Sequence, residues 1–250
     1  IVGTSADGIP ESLVEALRHA QSVAVLTGSG ISAESGVPTF RGAQTGLWAR
    51  YDPMDLATPE AFAQDPRLVW EWYAWRRRLV EGAAPNFGHE ALVELEHYVP
   101  EFVLITQNVD GLHQRAGSQR IIELHGNIMR SKCSLEAVIL EPGEDDTDVP
   151  PSCPRCGASL RPDVVWFGEM LPQETLEEAF EAAQSCDLFL SIGTSSLVQP
   201  AASLPFEALY GGAAVVEVNP DETPLTPHAE YALRGRAGEV LPSLVGAVYG

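Results

Sequence analysis

The sequence predicts an α/β protein organised around a parallel sheet. Three observations carry that expectation. Short apolar runs of strand length alternate with stretches of helical periodicity. The runs are apolar throughout, as strands buried on both faces are. Three of them end in polar clusters, TGSG at 27–30, TQN at 106–108 and IGTS at 192–195. Ligands of open α/β sheets bind beyond the carboxyl ends of the strands, so these clusters are expected to share one site.

The elements follow in order. Residues 10–21 (PESLVEALRHAQ) read as a short amphipathic helix, and 23–30 (VAVLTGSG) as a buried strand running into a glycine loop. Residues 59–80 carry aromatics and arginines at helical spacing, and 89–96 (HEALVELE) form another helix. EFVLITQN (101–108) is a second buried strand and IIELHGN (121–127) a third. EPGEDDTDVPPS (141–152) reads as an acidic surface loop. A helix at 173–185, strands at 187–195 and 213–220, and a closing helix at 240–248 complete the pattern. There is no internal repeat and no low-complexity segment.

Composition narrows the function classes. A chain of 250 residues suits one large domain, or a main domain with a smaller one inserted. Hydrophobic residues make up 45% and charged residues 20%, which excludes a mostly disordered chain. No apolar run approaches the roughly 18–20 residues that span a bilayer. The N-terminal stretch IVGTSADGIPESLVEAL lacks the basic and apolar regions of a secretory leader, so a cytoplasmic location is expected. Thirty-five acidic residues against 15 basic ones give a formal charge of −20, and Lys132 is the only lysine. Such a field repels nucleic acid and anionic membranes, so neither is expected as a partner.

GSGISAESG (28–36) follows the first strand. Its last glycine comes three residues late for the dinucleotide fingerprint G-x-G-x-x-G, and no acidic residue ends a second strand about 20 residues on. Hydride transfer is therefore a poor match. The glycines still let backbone amides approach a pyrophosphate. Read longer, GSGISAESGVPTFRG (28–42) is followed in order by TQNVDGLH (106–113), LHG (124–126), RPDVVWFGE (161–169), GTS (193–195) and VNP (218–220). With these motifs the chain resembles, over roughly residues 10–245, the sirtuin family of NAD-dependent protein deacylases. DLATPEAFAQDP (55–66) and VWEWYAWRRR (69–78) bring it closest to the class III sirtuins, the group that prefers acidic acyl groups.

The resemblance implies a Rossmann-like domain made of residues 1–44, 89–127 and 161–250. It also implies a helical insertion at 45–88 and a zinc-ribbon-like insertion at 128–160. Cofactor and acyl-lysine would enter the cleft between them from opposite sides. Tyr73 and Arg76 match the family's Tyr-x-x-Arg pair. Positions i and i+3 of a helix face the same way. A guanidinium grips a carboxylate through two parallel hydrogen bonds, and a phenol adds a third donor. Succinyl- and malonyl-lysine end in a carboxylate, whereas acetyl-lysine does not. Two other readings of this helix stand beside that one: an aromatic face packed on the core with a solvated arginine face, and an RNA-stacking patch, which the net charge opposes.

His125, in LHG, matches the family's catalytic histidine, and imidazole titrates near neutrality. His113 reads as supporting structure; His19, His89, His97 and His228 read as ordinary histidines. By resemblance, Gln107 and the catalytic Asn108 address the ribose and the reacting centre, and Asp110 the carboxamide. Gly28, Ser29, Gly30, Ser32 and Ala33 belong to the same cofactor site. Ser35 orients the base or contacts the cofactor. Phe40 shields the reactive sugar from water and Arg41 meets a phosphate. Gly193, Thr194 and Ser195 hold a phosphate or ribose, Asn219 and Asp221 the adenosine ribose, and the backbone of Ala237 touches the adenine. An acylated peptide is expected as an added strand between 165–169 and 195–199, against Val165, Phe167, Gly168, Glu169 and Val198.

The implied reaction consumes NAD as a cosubstrate. Nicotinamide leaves, the acyl oxygen attacks the ribose carbon to give an alkylimidate, His125 acts as base toward a ribose hydroxyl, and water releases lysine and O-acyl-ADP-ribose. The expected partners are proteins or peptides bearing acylated lysine, met by a monomer. Two rival functions remain: an NAD hydrolase or ADP-ribosyltransferase on the same scaffold, and a non-catalytic NAD- or ADP-ribose-binding module. The Tyr73/Arg76 pair speaks against the first, and the His, Asn and Asp set against the second.

Three of the four cysteines cluster, which suggests a metal rather than disulfides. The family carries two C-x-x-C pairs around a structural zinc ion. Here the second pair, Cys153-Pro-Arg-Cys156, is intact, but the first reads Cys133-Ser-Leu-Glu136. Three readings follow. Zinc is held by the three thiolates with Glu136 or a nearby carboxylate such as Glu141; or by three thiolates and water; or the ribbon holds together without metal. Cys186 reads as a small buried hydrophobe.

Overall fold

The computed structural model describes residues 8–39, 50–140 and 148–250. Phe40, Arg41 and Glu141, singled out above, lie outside the described residues. In chain order the strands are β1 (Ser22–Thr27), β2 (Glu101–Thr106), β3 (Ile121–Glu123), β4 (Gly126–Cys133), β5 (Ile139–Leu140), β6 (Leu160–Val164), β7 (Leu188–Ile192), β8 (Ala214–Val218) and β9 (Tyr231–Leu233). Six of them pair in parallel in the order β3-β2-β1-β7-β8-β9, and β5-β4-β6 form a separate antiparallel sheet. Among the six parallel strands this is the 3-2-1-4-5-6 order of the Rossmann fold, with its reversal between β1 and β7.

Alternation along each apolar strand fills two cores. Val23 and Val25 of β1, Phe102 and Leu104 of β2, and Leu188 and Leu190 of β7 face one layer; Ala24, Leu26, Ile105 and Phe189 face the other. The helices in chain order are α1 (Glu11–His19), α2 (Ser29–Ala33), α3 (Pro53–Leu56), α4 (Pro59–Gln64), α5 (Pro66–Glu81), α6 (Phe87–Tyr98), α7 (Leu112–Ala116), α8 (Gln173–Ser185), α9 (Leu204–Gly211) and α10 (Ala237–Tyr249). Helices α1, α6 and α10 cover the first layer through Leu13, Leu92 and Leu244; α8 and α9 cover the second through Ala179 and Ala208. No described helix is long and apolar enough to cross a membrane.

The structure departs from the sequence expectation in instructive places. The helical stretch 59–80 is two helices. Asp65 leaves helical geometry at φ −145°, its carboxylate accepts the Leu68 amide at 2.9 Å, and Pro66 opens α5. Proline suits a first helical turn and breaks an interior one. The expected strand 121–127 also divides. β3 ends at Glu123, and Gly126 begins β4 in the other sheet. Gly126 has φ +81°, and a β-carbon there would strike the Asp163 carbonyl. Only glycine fits the crossing. His125 therefore sits at the joint between the sheets. β9 and α9 go beyond the expectation, and Cys186 lies buried just ahead of β7.

Candidate active site

A cleft of about 1270 Å³ opens beyond the carboxyl ends of the parallel strands, at the reversal between β1 and β7. It is closed on the opposite side by α5 and the segment after β6. Except for Ser35, the described residues expected to bind cofactor or substrate line it. Gly28 to Ala33 follow β1, Gln107 to Asp110 follow β2, and Gly193 to Ser195 follow β7. Asn219 and Asp221 follow β8, Ala237 opens α10, and Tyr73, Arg76, His125, Val165, Phe167 to Glu169 and Val198 complete the wall.

At the reversal the backbones nearly touch. A β-carbon on Gly30 would lie 2.7 Å from the Gly193 α-carbon, and one on Gly28 would lie 2.8 Å from the Gly193 carbonyl oxygen. The close approach that the dehydrogenase fingerprint obtains from its third glycine comes here from a glycine just past the end of another strand. Beyond this point runs a web of hydrogen bonds. Asn108 donates its amide hydrogens to the Gly28 carbonyl (3.0 Å) and to Ser32 Oγ (3.1 Å), so its carbonyl oxygen is the polar atom it keeps. Ser32 in turn donates to Asp110, whose carboxyl burial pushes above the ordinary range. Gln107 donates to Thr194 Oγ1 at 3.0 Å, and Asn219 donates to the Thr194 carbonyl at 2.8 Å. Buried Glu217, bonded to Thr223, Thr226 and Arg234, anchors the loop that carries Asp221.

His125 Nδ1 lies 2.9 Å from the Gln107 carbonyl oxygen. A carbonyl only accepts, so Nδ1 carries the hydrogen and Nε2 keeps its lone pair. Burial lowers the imidazole pKa below its ordinary value, partly opposed by the bond to Gln107. The ring is thus a neutral base with Nε2 as its basic atom. Its own carbonyl accepts the Val165 amide at 3.0 Å, which ties the histidine to the β6 side of the cleft.

On that side, Tyr73 is 2% exposed and accepts the indole hydrogen of Trp166 at 2.9 Å. Burial raises the phenol to about 12, so the hydroxyl stays neutral and keeps its hydrogen to donate. Arg76 lines the cleft one turn on, its guanidinium over the Trp72 ring at 5.2 Å, with its pKa lowered by burial. Its neighbour Arg77 turns away, donating to the Ile128 carbonyl at 2.6 Å and stacking on Trp70, and so docks α5 on the small sheet.

From sequence alone, Trp166 and Arg161 carry no assigned role, and Thr27 and Thr106 stand only as members of the strand-end clusters. Arg161 clamps Glu169 through bonds of 2.6 and 2.8 Å, so the Glu169 carboxylate is committed within the chain. The amides of Val165, Trp166, Phe167 and Glu169 are also bonded internally. An added strand would meet carbonyls and the Gly168 amide on that edge. Thr27 and Thr106 face each other at the ends of β1 and β2. Thr27 donates to Thr106 (2.9 Å) and meets His113 Nε2 (3.0 Å), while the Asn108 amide donates to Thr106 (3.1 Å). Threonine closing an aliphatic strand was the available signal. Ser35 accepts from Asn86, which caps α6 with His89.

The Sir2 family model matches residues 28–200, 173 of the 250 positions. The chain belongs to the Sir2 family. It is 51% identical to an NAD-dependent protein deacylase 1 of Pseudomonas aeruginosa, over 94% of this chain and 97% of the relative. It is 53% identical to an NAD-dependent protein deacylase of Methylococcus capsulatus, over 95% and 96%. A solved Sir2 homologue–NAD complex superposes with a TM-score of 0.90 at 48% identity, covering 99% of this chain and 96% of that one. A Sir2–p53 peptide–NAD+ complex superposes at 0.83 with 31% identity, covering 94% and 97%.

The antiparallel sheet of this Sir2 chain ends in a donor cluster. Ligand atoms of Cys133, Glu136, Cys153 and Cys156 all lie within 4.8 Å of one another. The Cys133 and Cys156 sulfurs are 3.5 Å apart, close to the edge of about 3.8 Å that follows from tetrahedral Zn–S bonds of about 2.3 Å. The donor set fits a structural zinc ion.

Proposed function

We propose that this chain removes succinyl and malonyl groups, and also acetyl groups, from lysines of proteins or peptides. It is an NAD-dependent protein deacylase, and the acidic-acyl preference is the finer reading. NAD, when bound, supplies the ribose carbon that takes over the acyl oxygen as nicotinamide departs. Everything else falls to the chain. The glycine contact between Gly30 and Gly193 packs α2 onto the end of β7 beside the dinucleotide, and loops ending β2, β7 and β8 hold its hydroxyls. His125 Nε2 takes a ribose hydroxyl proton. Tyr73 and Arg76 grip the distal carboxylate of the acyl chain.

The observation that carries the reading is that Tyr73, Arg76 and His125, from a helix and an inter-sheet joint, line a single cleft. The helical i, i+3 pair brings one neutral and one cationic donor there, which suits a carboxylate. Boundaries at 45–88 and 128–160 for the two insertions belong to the same proposal, as do a monomeric state and the peptide strand between 165–169 and 195–199. The test is turnover of labelled NAD with and without a succinyl-lysine peptide. Nicotinamide and O-succinyl-ADP-ribose released only with the peptide support the reading. Equal nicotinamide release without it indicates an NAD hydrolase, and binding without turnover indicates a pure binding module.

A further inference from the structure

The two turns that bring the cysteines together have the same backbone. In the intact C-x-x-C turn, the Gly157 amide donates to the Cys153 carbonyl (2.8 Å), the Cys153 amide donates to the Ala158 carbonyl (2.6 Å), and Gly157 has φ +76°. In the other turn, the Ala137 amide donates to the Cys133 carbonyl (3.1 Å) and the Cys133 amide to the Val138 carbonyl (2.9 Å). Ala137 has φ +56°. Left-handed backbone is natural for glycine and strained for alanine, and it persists where the surroundings over-determine it. The Glu136 amide also donates to Cys133 Sγ at 3.3 Å. Glu136 thus occupies the position that Cys156 holds in the matching turn, on a backbone that keeps the ligating shape.

We propose that Glu136 is the fourth ligand of the ribbon's metal, which makes this a site of three thiolates and one carboxylate. The carboxylate approaches the three sulfurs within 4.8 Å. Arg155, between the cysteines of the other turn, holds Glu136 Oε2 at 3.1 Å. Monodentate ligation needs one oxygen, and the guanidinium orders the group and offsets its charge. Hydrogen bonding that orients a ligand tunes metal affinity, so Arg155, itself exposed, is a positioning residue for Glu136 with a modest effect. A harder oxygen donor among thiolates, at a site where Cys156 is itself exposed, makes the ion easier to remove than from four thiolates.

The test uses the full chain loaded with Co²⁺ in place of Zn²⁺. One Co²⁺ per chain is expected, with thiolate charge-transfer absorption and ligand-field bands of a mixed sulfur–oxygen set. E136C should move the ligand-field bands to longer wavelength. With zinc bound, E136C should release the ion to a chelator about tenfold more slowly than the native chain; E136A should release it about tenfold faster, and R155A by a smaller factor. Identical cobalt spectra and release rates for the native chain and E136A overturn the proposal. So does a native chain that binds no stoichiometric metal while E136C does. Because E136C restores a cysteine to a backbone already shaped for one, its spectrum decides the matter even where E136A does not fold.

Discussion

The side of the cleft proposed for the cofactor is made from strand ends, glycine backbones, amides and hydroxyls; the side proposed for the acyl group is made from one face of α5 braced by Trp166. The first is distributed over four strands and locked by hydrogen bonds that leave each side chain few alternatives. The second rests on two side chains three residues apart. A change on the cofactor side should therefore lower turnover of every acyl group alike. A change on the acyl side should discriminate between acyl groups.

His125→Ala offers the largest effect and the sharpest break. It removes the basic Nε2 while leaving the Gly30–Gly193 contact untouched, so product formation should fall by about 10²–10⁴-fold for succinyl and acetyl peptides equally. Calorimetric NAD binding should be retained; near-native turnover would remove the base from the account. Next comes Gly30→Ala. The added β-carbon meets backbone atoms of Gly193 at 2.7 Å, and backbone cannot yield cheaply. We expect a stability loss of about 1–3 kcal/mol by thermal melting, with weaker NAD binding and no change in acyl preference. A changed succinyl-to-acetyl ratio in this variant would show that the two sides are not separable. The smallest effect concerns pH. Burial lowers the His125 pKa, so the neutral base persists to more acid solution than an ordinary histidine near 6.5 allows. The acid limb of kcat/KM should lie below pH 6.5, at the same position for both acyl groups.

The strand-end clusters were legible because residue type and position carried the same message: apolar runs of strand length ending in Thr, Asn, Gln, Gly or Ser mark the ligand edge of a parallel sheet. The joint at Gly126 was not, since IIELHGN has no local feature separating one long strand from two strands of different sheets; the collision with the Asp163 carbonyl exists only after folding. The break before Pro66 was visible in composition and masked by the aromatic spacing that continues across it. Arg76 and Arg77 are neighbours of the same type with different duties, and only the placement of Trp70 and the Ile128 carbonyl separates them. Likewise Glu136 reads as a lost cysteine in sequence, whereas the backbone of its turn matches the intact one.

The central claim is that Arg76, together with Tyr73, reads the acyl carboxylate. Its most direct test is kcat/KM for one peptide carrying succinyl- or acetyl-lysine, in the native chain and in Arg76→Met. Loss of a charge-assisted bond worth about 1.5–3 kcal/mol should lower desuccinylation by about 10–150-fold while deacetylation changes little. An equal fall in both rates would contradict the claim.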